Sequence, residues 1–394
     1  MKQTYQRTLT ACYTGYVVQA IVNNFVPLLF LTFHNTYHIS MNSITLLITL
    51  NFLIQLLIDV LSAGFIDRIG YRTAMILAHE TVTLGLVCLT FLPEVMPDPF
   101  IGLLISVMIY AIGGGLLEVL VSPIVEALPT KNKEKTMSLL HSFYCWGHVA
   151  VVLFSTLFFV VFGLEHWKIM ALIWAVIPAY NLFVFRRVPL CPLVSEEEEG
   201  ISLAGLIRLP AFWILMVVMT CAGASEQAVS QWASTFAEQG LGVSKTIGDL
   251  AGPMLFAVCM GSSRLIYGLY GEKMNLRTAM AASGILCVLS YCMISLSPFP
   301  ALSLAGCGIC GFSVGIMWPG TFSIASAALK GGGTALFAFM ALAGDLGCSG
   351  GPSFVGLIAG QAGNSLKTGI LCAVIFPLLL IAGILLVKKV QKNN

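Results

Sequence analysis

The chain has 394 residues, 58% of them hydrophobic and only 10% charged, with a formal net charge of +2. A soluble domain carries about 25% charged residues, so this chain has too little polar surface to cover a globule in water. Its apolar runs are long enough to cross a hydrocarbon core about 30 Å thick and lack the short alternation of a barrel. The fold class is therefore all-α: a polytopic membrane protein whose helices satisfy their own backbone.

Twelve spans are predicted, at about 9–33, 44–66, 73–92, 100–128, 137–162, 168–185, 211–237, 246–271, 276–297, 301–327, 334–361 and 365–389. The first run lacks a small-residue cleavage site and is read as a span, not a leader. It carries VNNFVP, with Asn24 and Pro27. Asn51, Gln55 and Asp59 follow at i, i+4, i+8 on one face of span two. The turn after it reads GFIDRIGYR, with Asp67, Arg68 and Arg72.

Ionisable groups at bilayer depth are costly and usually face a cavity or a partner. Asp59, Glu80, Glu118, Glu226, Arg264 and Asp345 qualify, whereas Glu126, Glu238 and Asp249 are near enough to span ends to snorkel. In GGGLLEVLVSP of span four, Glu118 follows Gly113–Gly115 and precedes Pro123, so neighbouring helices can approach while the backbone ladder is opened. Ser122 shares its face. Glu118 is a candidate to bind solute and carry a proton, the alternative being a structural carboxyl bonded to another span. His141, Tyr144 and His148 form a polar-aromatic stripe in span five. No carboxylate joins this stripe to complete a metal set, so no metal is expected.

After span six, residues 186–210 hold prolines and the acidic run Glu196–Glu199 and read as a cytoplasmic linker. The expected halves are residues 1–185 and 211–394. Span seven crowds Glu226, Gln227, Gln231 and Trp232 together. The two amides suit bidentate bonds to hydroxyls and the indole suits the apolar face of a sugar; for Trp232, an aromatic belt reads equally well. Arg264 in span eight has no acid within four residues, so a carboxylate on another span, Glu226 or Asp345, is the expected partner. Substrate-anion binding is the other reading. Asp345 sits among glycines and Pro352 in span eleven.

GCGICG (306–311) matches a dinucleotide fingerprint by letter but lies inside an apolar span, where glycines serve helix packing. No Walker pattern appears, and no cofactor is expected. The CxxC at Cys307 and Cys310 also lies inside a span.

Two features order the whole chain. With the N-terminus inside, sixteen Lys and Arg fall on the cytoplasmic side against three outside, Lys168, Lys245 and Lys367, so both termini are expected to be cytoplasmic. The charges are thus no sign of nucleic acid. Second, GLYGEKMNLR after span eight repeats the acid-base-base spacing of the first turn 205 residues on, with Glu272, Lys273 and Arg277. Ser122–Pro123 likewise has a counterpart in Trp318–Pro319, 196 residues on. Such duplication implies two six-helix units with a pathway between them.

The turn GFIDRIGYR resembles the signature loop of the major facilitator superfamily, although Gly64 lies one residue closer to Asp67 than in that pattern. The resemblance implies a transporter, not an enzyme, working by alternating access, with Asp67, Arg68, Arg72, Glu272, Lys273 and Arg277 as a charge latch. VNNFVP, LLEVLVSP and LLHSFYCWG further resemble the fucose/glucose–galactose symporter branch. That likeness implies a sugar-like solute and matches Glu118 to the branch's essential Glu, Asn24 to its Asn, and His141 and Tyr144 to its span-five ligands. Where the branch has a span-one Asp, this chain has Pro27.

The expected solute contacts are then Asn24, Glu118, Ser122, His141, Tyr144, Gln227, Gln231, Trp232 and Trp318. The expected proton carriers are Glu118, Glu226 and Asp345, with another cation as the alternative coupling ion. A drug, amphiphile or organic-anion exporter of the same fold is the competing function. Short loops and the lack of an N-x-S/T sequon favour a bacterial inner membrane, and a monomer is expected.

Overall fold

In the computed structural model the described residues are 3–129, 133–191, 203–270, 275–329 and 333–393, and among them no strand occurs. Side chains are described for most, not all, of these. The chain divides into two compact units, Met1–Ser195 and Glu196–Asn394.

The first unit contains α1 (Gln3–Asn24), α2 (Phe30–Tyr37), α3 (Met41–Ile69), α4 (Tyr71–Val95), α5 (Pro99–Glu126), α6 (Lys133–Phe162) and α7 (Trp167–Phe185). A tight 3-10 turn, Val26–Leu29, separates α1 from α2. Pro27 lies in it and has no N–H for the ladder, so the first span breaks there. The second unit contains α8 (Leu203–Ile207), α9 (Pro210–Ser230), α10 (Ala233–Thr235), α11 (Lys245–Asp249), α12 (Leu255–Tyr270), α13 (Leu276–Leu296), α14 (Pro300–Val314), α15 (Met317–Ala328), α16 (Gly333–Gln361), α17 (Leu366–Cys372) and α18 (Ile375–Asn393).

Eleven stretches of the described residues are long and apolar enough to cross a membrane. The 29-residue α16 stands where span eleven is expected. Large apolar side chains point outward along many of these helices, among them Leu57, Val60, Val161, Val176, Phe183 and Leu385, each more than half exposed. An apolar skin of this extent fits hydrocarbon, not water.

The main helix contacts inside the first unit recur inside the second. In the first, α1 packs on α5, α6 and α7, α3 on α5, and α4 on α5 and α7. In the second, α9 packs on α14 and α15, α16 and α18, α12 on α14, and α13 on α14 and α18. Each contact recurs between the corresponding spans, which is the structural counterpart of the sequence repeat.

Buried polar side chains pin these helices where apolar contact alone would let them slide. His79 on α4 meets the Met75 carbonyl through Nδ1 at 2.7 Å and Asn181 Nδ2 of α7 through Nε2 at 2.8 Å. Asn181 Nδ2 also donates to the Ala11 carbonyl at 3.0 Å, tying α7 to α1. Arg72 at the start of α4 donates to the carbonyls of Phe185 and Val188 at 2.6 and 2.9 Å, satisfying the end of α7.

In the second unit, Lys245 on α11 stands between Asp249 at 3.1 Å and Glu238 at 3.4 Å, and Ser234 on α10 donates to Asp249. Glu238 and Asp249 therefore do not snorkel: Asp249 is fully buried and its charge is met inside the protein. Burial, reinforced by Asp249 nearby, holds the Glu238 carboxyl above the usual carboxylate range despite the Lys245 ammonium. None of the twelve cysteines is in a disulfide, Cys307 and Cys310 included.

Candidate functional site

Glu118 owes its setting to the three glycines before it. A Cβ on Gly113 would lie 2.3 Å from the Ala78 carbonyl oxygen of α4, and one on Gly115 would lie 2.9 Å from the Gln55 carbonyl oxygen of α3. Only bare backbone lets α5 approach both helices so closely. Between them, Gly114 faces Val22 of α1 and the Gln55 amide. One turn on, Glu118 is half-buried where α1, α3 and α5 converge.

The groups around it are amides, hydroxyls and a second carboxylate. Gln19 on α1 donates through Nε2 to Glu118 Oε2 at 3.2 Å and to Gln55 Oε1 at 2.9 Å. Gln55 Nε2 donates to Asn23 Oδ1 at 2.9 Å, and Asn51 Nδ2 donates to the same oxygen at 3.2 Å. The carboxylates of Asp59 and Glu118 lie within 4.8 Å of one another. Toward Pro123, the Tyr16 and Ser122 hydroxyls are 2.9 Å apart. The Tyr16 ring lies 5.2 Å from the ring of His141, which is exposed. Asn24 Nδ2 reaches the Tyr144 hydroxyl at 3.5 Å and the Ala20 carbonyl at 2.9 Å. His148 is buried.

Of the residues expected from sequence in this unit, Glu118, Ser122, Asn24, His141 and Tyr144 thus share one polar region. Gln19, Asn23 and Tyr16 were missed. Their signal was present: 16, 19 and 23 follow the same i, i+3, i+7 spacing that exposed the stripe on span five.

The second unit gathers its own polar set on α9. Arg264 Nη2 lies 3.4 Å from Glu226 Oε2 and Arg264 Nε donates to the Gly315 carbonyl at 3.3 Å. Asp59 and Arg264 are 205 residues apart, like the acids of the two repeated turns, so equivalent positions carry opposite charges. Gln227 Nε2 reaches Glu226 Oε1 at 3.2 Å, and Gln231 Nε2 donates to Gln227 Oε1 at 3.0 Å. The two glutamines are therefore bonded to each other. Trp232 is fully buried and donates to the Pro352 carbonyl at 3.0 Å, so it does not lie in an aromatic belt. The Trp318 ring packs over Gly344, where a Cβ would come within 2.2 Å of it. Asp345 is buried in α16.

The latch residues are only partly visible. The Asp67 side chain, Glu272 and Lys273 lie outside what is described, Arg68 is exposed, and Arg72 holds α7. Arg277 lines a cleft of about 340 Å³ with Asn275 and Ser323.

Two duplicated helical units with apolar outer surfaces and charged side chains bonded within their spans define a polytopic membrane protein. The family profile of the Major Facilitator Superfamily matches residues 12–352, and the chain belongs to that family. Its members are membrane transporters. Among solved structures, a bacterial homologue of the human lysosomal transporter Spinster, in an inward-facing and occupied conformation, aligns with a TM-score of 0.77 at 14% identity, covering 99% of this chain and 98% of that one. The Escherichia coli fucose:proton symporter aligns with a TM-score of 0.67 at 15% identity, covering 98% and 99%. At such identities the likeness is one of fold. No curated protein sequence matches the chain.

Proposed function

We propose that the chain is a secondary active transporter that moves a small, hydroxylated, sugar-like solute by alternating access, coupled to a proton through Glu118. The observation that carries this reading is the environment of Glu118, where Gln19, Gln55, Asn23 and Asn51 form an amide network beside a carboxylate in an otherwise apolar bundle. Amides and hydroxyls suit the edges of a polyol, while an amphiphile would be better served by a wide aromatic surface. The fold likeness to a fucose:proton symporter supports the same class.

Asp59 supplies the acid that Pro27 denies to span one. Two carboxylates within 4.8 Å repel, and uptake of one proton removes that repulsion. The same pair would suit a small cation, the alternative coupling ion. In the second unit Asp345 is the proposed proton carrier. Glu226 would first have to give up its contacts with Arg264 and Gln227. Because Arg264 already meets a carboxylate, a neutral solute is favoured over an organic anion.

The remaining elements are assigned accordingly. Residues 1–185 and 211–394 are the two moving halves, 186–210 is the cytoplasmic linker, and the acid-base turns are the latch. The protein is placed as a monomer in the bacterial inner membrane with both termini inside.

Counterflow in proteoliposomes tests the substrate class. Vesicles preloaded with unlabelled D-glucose, D-galactose or L-fucose should accumulate the labelled sugar transiently, while ethidium efflux stays at the level of empty vesicles. Ethidium transport without any sugar exchange would make the chain an exporter of amphiphiles instead.

A further inference from the structure

The amide nitrogens of Gln19, Gln55 and Asn51 each donate to an acceptor, yet two acceptors are left over. Gln19 Nε2 is divided between Gln55 and Glu118, and Gln55 Nε2 between Asn23 Oδ1 and the Asn51 carbonyl at 3.3 Å. Gln19 Oε1 and Asn51 Oδ1, on side chains 3% and 6% exposed, have no hydrogen-bond partner among the described residues. Flipping the Gln19 amide does not cure this, because its oxygen would then face the acceptor oxygens of Gln55 and Glu118. A buried polar atom left unpaired is rare and calls for a reason.

We infer that Gln19 Oε1 and Asn51 Oδ1 are a donor-seeking subsite on α1 and α3, built to accept hydroxyl hydrogens of a polyol and to reject groups that only accept. The inference rests on the transporter reading above and specifies which face of the solute the first unit holds. Its chemistry is one-sided. Both orphaned atoms are acceptors and the carboxylates of Glu118 and Asp59 lie nearby, so a carboxylate or phosphate placed against Gln19 Oε1 and Asn51 Oδ1 would meet oxygens. A pair of neighbouring hydroxyls offers two O–H groups and satisfies both. The two amide oxygens meet the solute when α1 and α3 are uncovered on one side, as alternating access requires. A site whose polar groups stay unpaired without the right hydroxyl discriminates strongly against analogues that lack it.

The substitution Asn51→Leu tests this in the purified full-length chain. It removes one orphaned oxygen and leaves Asn23 Oδ1 still bonded by Gln55. The probes are L-fucose, D-galactose and D-galacturonate, read by thermal unfolding with and without sugar and by counterflow. The subsite predicts that Asn51→Leu unfolds no earlier than wild type without sugar, because a buried unpaired acceptor has gone, while its affinity for the neutral sugar falls at least about tenfold. Gln19→Met should weaken sugar binding to a similar degree, and D-galacturonate should bind wild type more weakly than D-galactose.

A merely structural Asn51 would give the opposite pattern, with earlier unfolding and unchanged affinity. If wild type exchanges the neutral sugars but both variants bind them normally, or if the uronate binds more tightly, the subsite is refuted and the transporter reading stands. If wild type shows neither exchange nor stabilisation with any of the three, both readings fall.

Discussion

The Arg264–Glu226 pair offers a direct measure of how the second unit handles charge. The two side chains are 17% and 8% exposed and approach to 3.4 Å. At that distance, with an effective dielectric constant near 20, the attraction is about 5 kcal/mol before desolvation is subtracted. Replacing one partner leaves the other charge buried, a change that costs about 3–5 kcal/mol in comparable pairs. Arg264→Leu also orphans the Gly315 carbonyl that Nε reaches at 3.3 Å. Each single variant, Arg264→Leu or Glu226→Leu, should therefore lower the unfolding temperature by on the order of 10 °C for a cooperative unit of about 200 residues. The double variant should recover most of the loss, since an apolar pair of similar volume is often neutral. Thermal unfolding of the four proteins in one detergent gives the coupling energy. A coupling below about 1 kcal/mol, with the two losses simply adding, would refute the claim that these side chains neutralise each other.

Three further outcomes follow from the geometry. Arg72→Lys should destabilise the first unit by about 2 kcal/mol, because an ammonium cannot reproduce the two guanidinium bonds to the Phe185 and Val188 carbonyls; thermal unfolding equal to wild type would contradict this. Gly347→Ala should destabilise by at least about 2 kcal/mol, since its Cβ would fall 1.9 Å from the Thr220 carbonyl oxygen of α9, whereas Gly350→Ala, with nothing within 4 Å, should be tolerated. Glu238, whose carboxyl is held above its ordinary range, binds its proton more readily in the fold than in the unfolded chain. Its contribution is thus full below the ordinary carboxylate value and is lost as pH rises through the raised one. Unfolding temperatures across that window should fall with rising pH more steeply in wild type than in Glu238→Gln, and equal slopes would show that Glu238 does not titrate there.

Much of this architecture is legible in the sequence because the bilayer leaves few options. A run such as 44–66 has to be a helix, and the repeated turns at Asp67 and Glu272 disclose the duplication. Glu118 stands out for the same reason, as a carboxylate in an apolar run behind three glycines. What periodicity could not give is which polar groups pair across helices. Gln227 and Gln231 share a face and look available to a solute, yet they bond each other. Trp232 resembles a belt residue by position and is a fully buried anchor for Pro352. The break at Pro27 was visible as a departure from a family pattern, but that Asp59 would take the place beside Glu118 depends on the approach of α3 to Gly115, which no single helix records.

The most direct test of the coupling claim is Glu118→Gln assayed two ways in the same proteoliposomes. The account predicts that equilibrium sugar exchange, which needs no net proton movement, survives, while accumulation driven by an inwardly directed proton gradient is lost. Gradient-driven accumulation equal to wild type in the variant would contradict it.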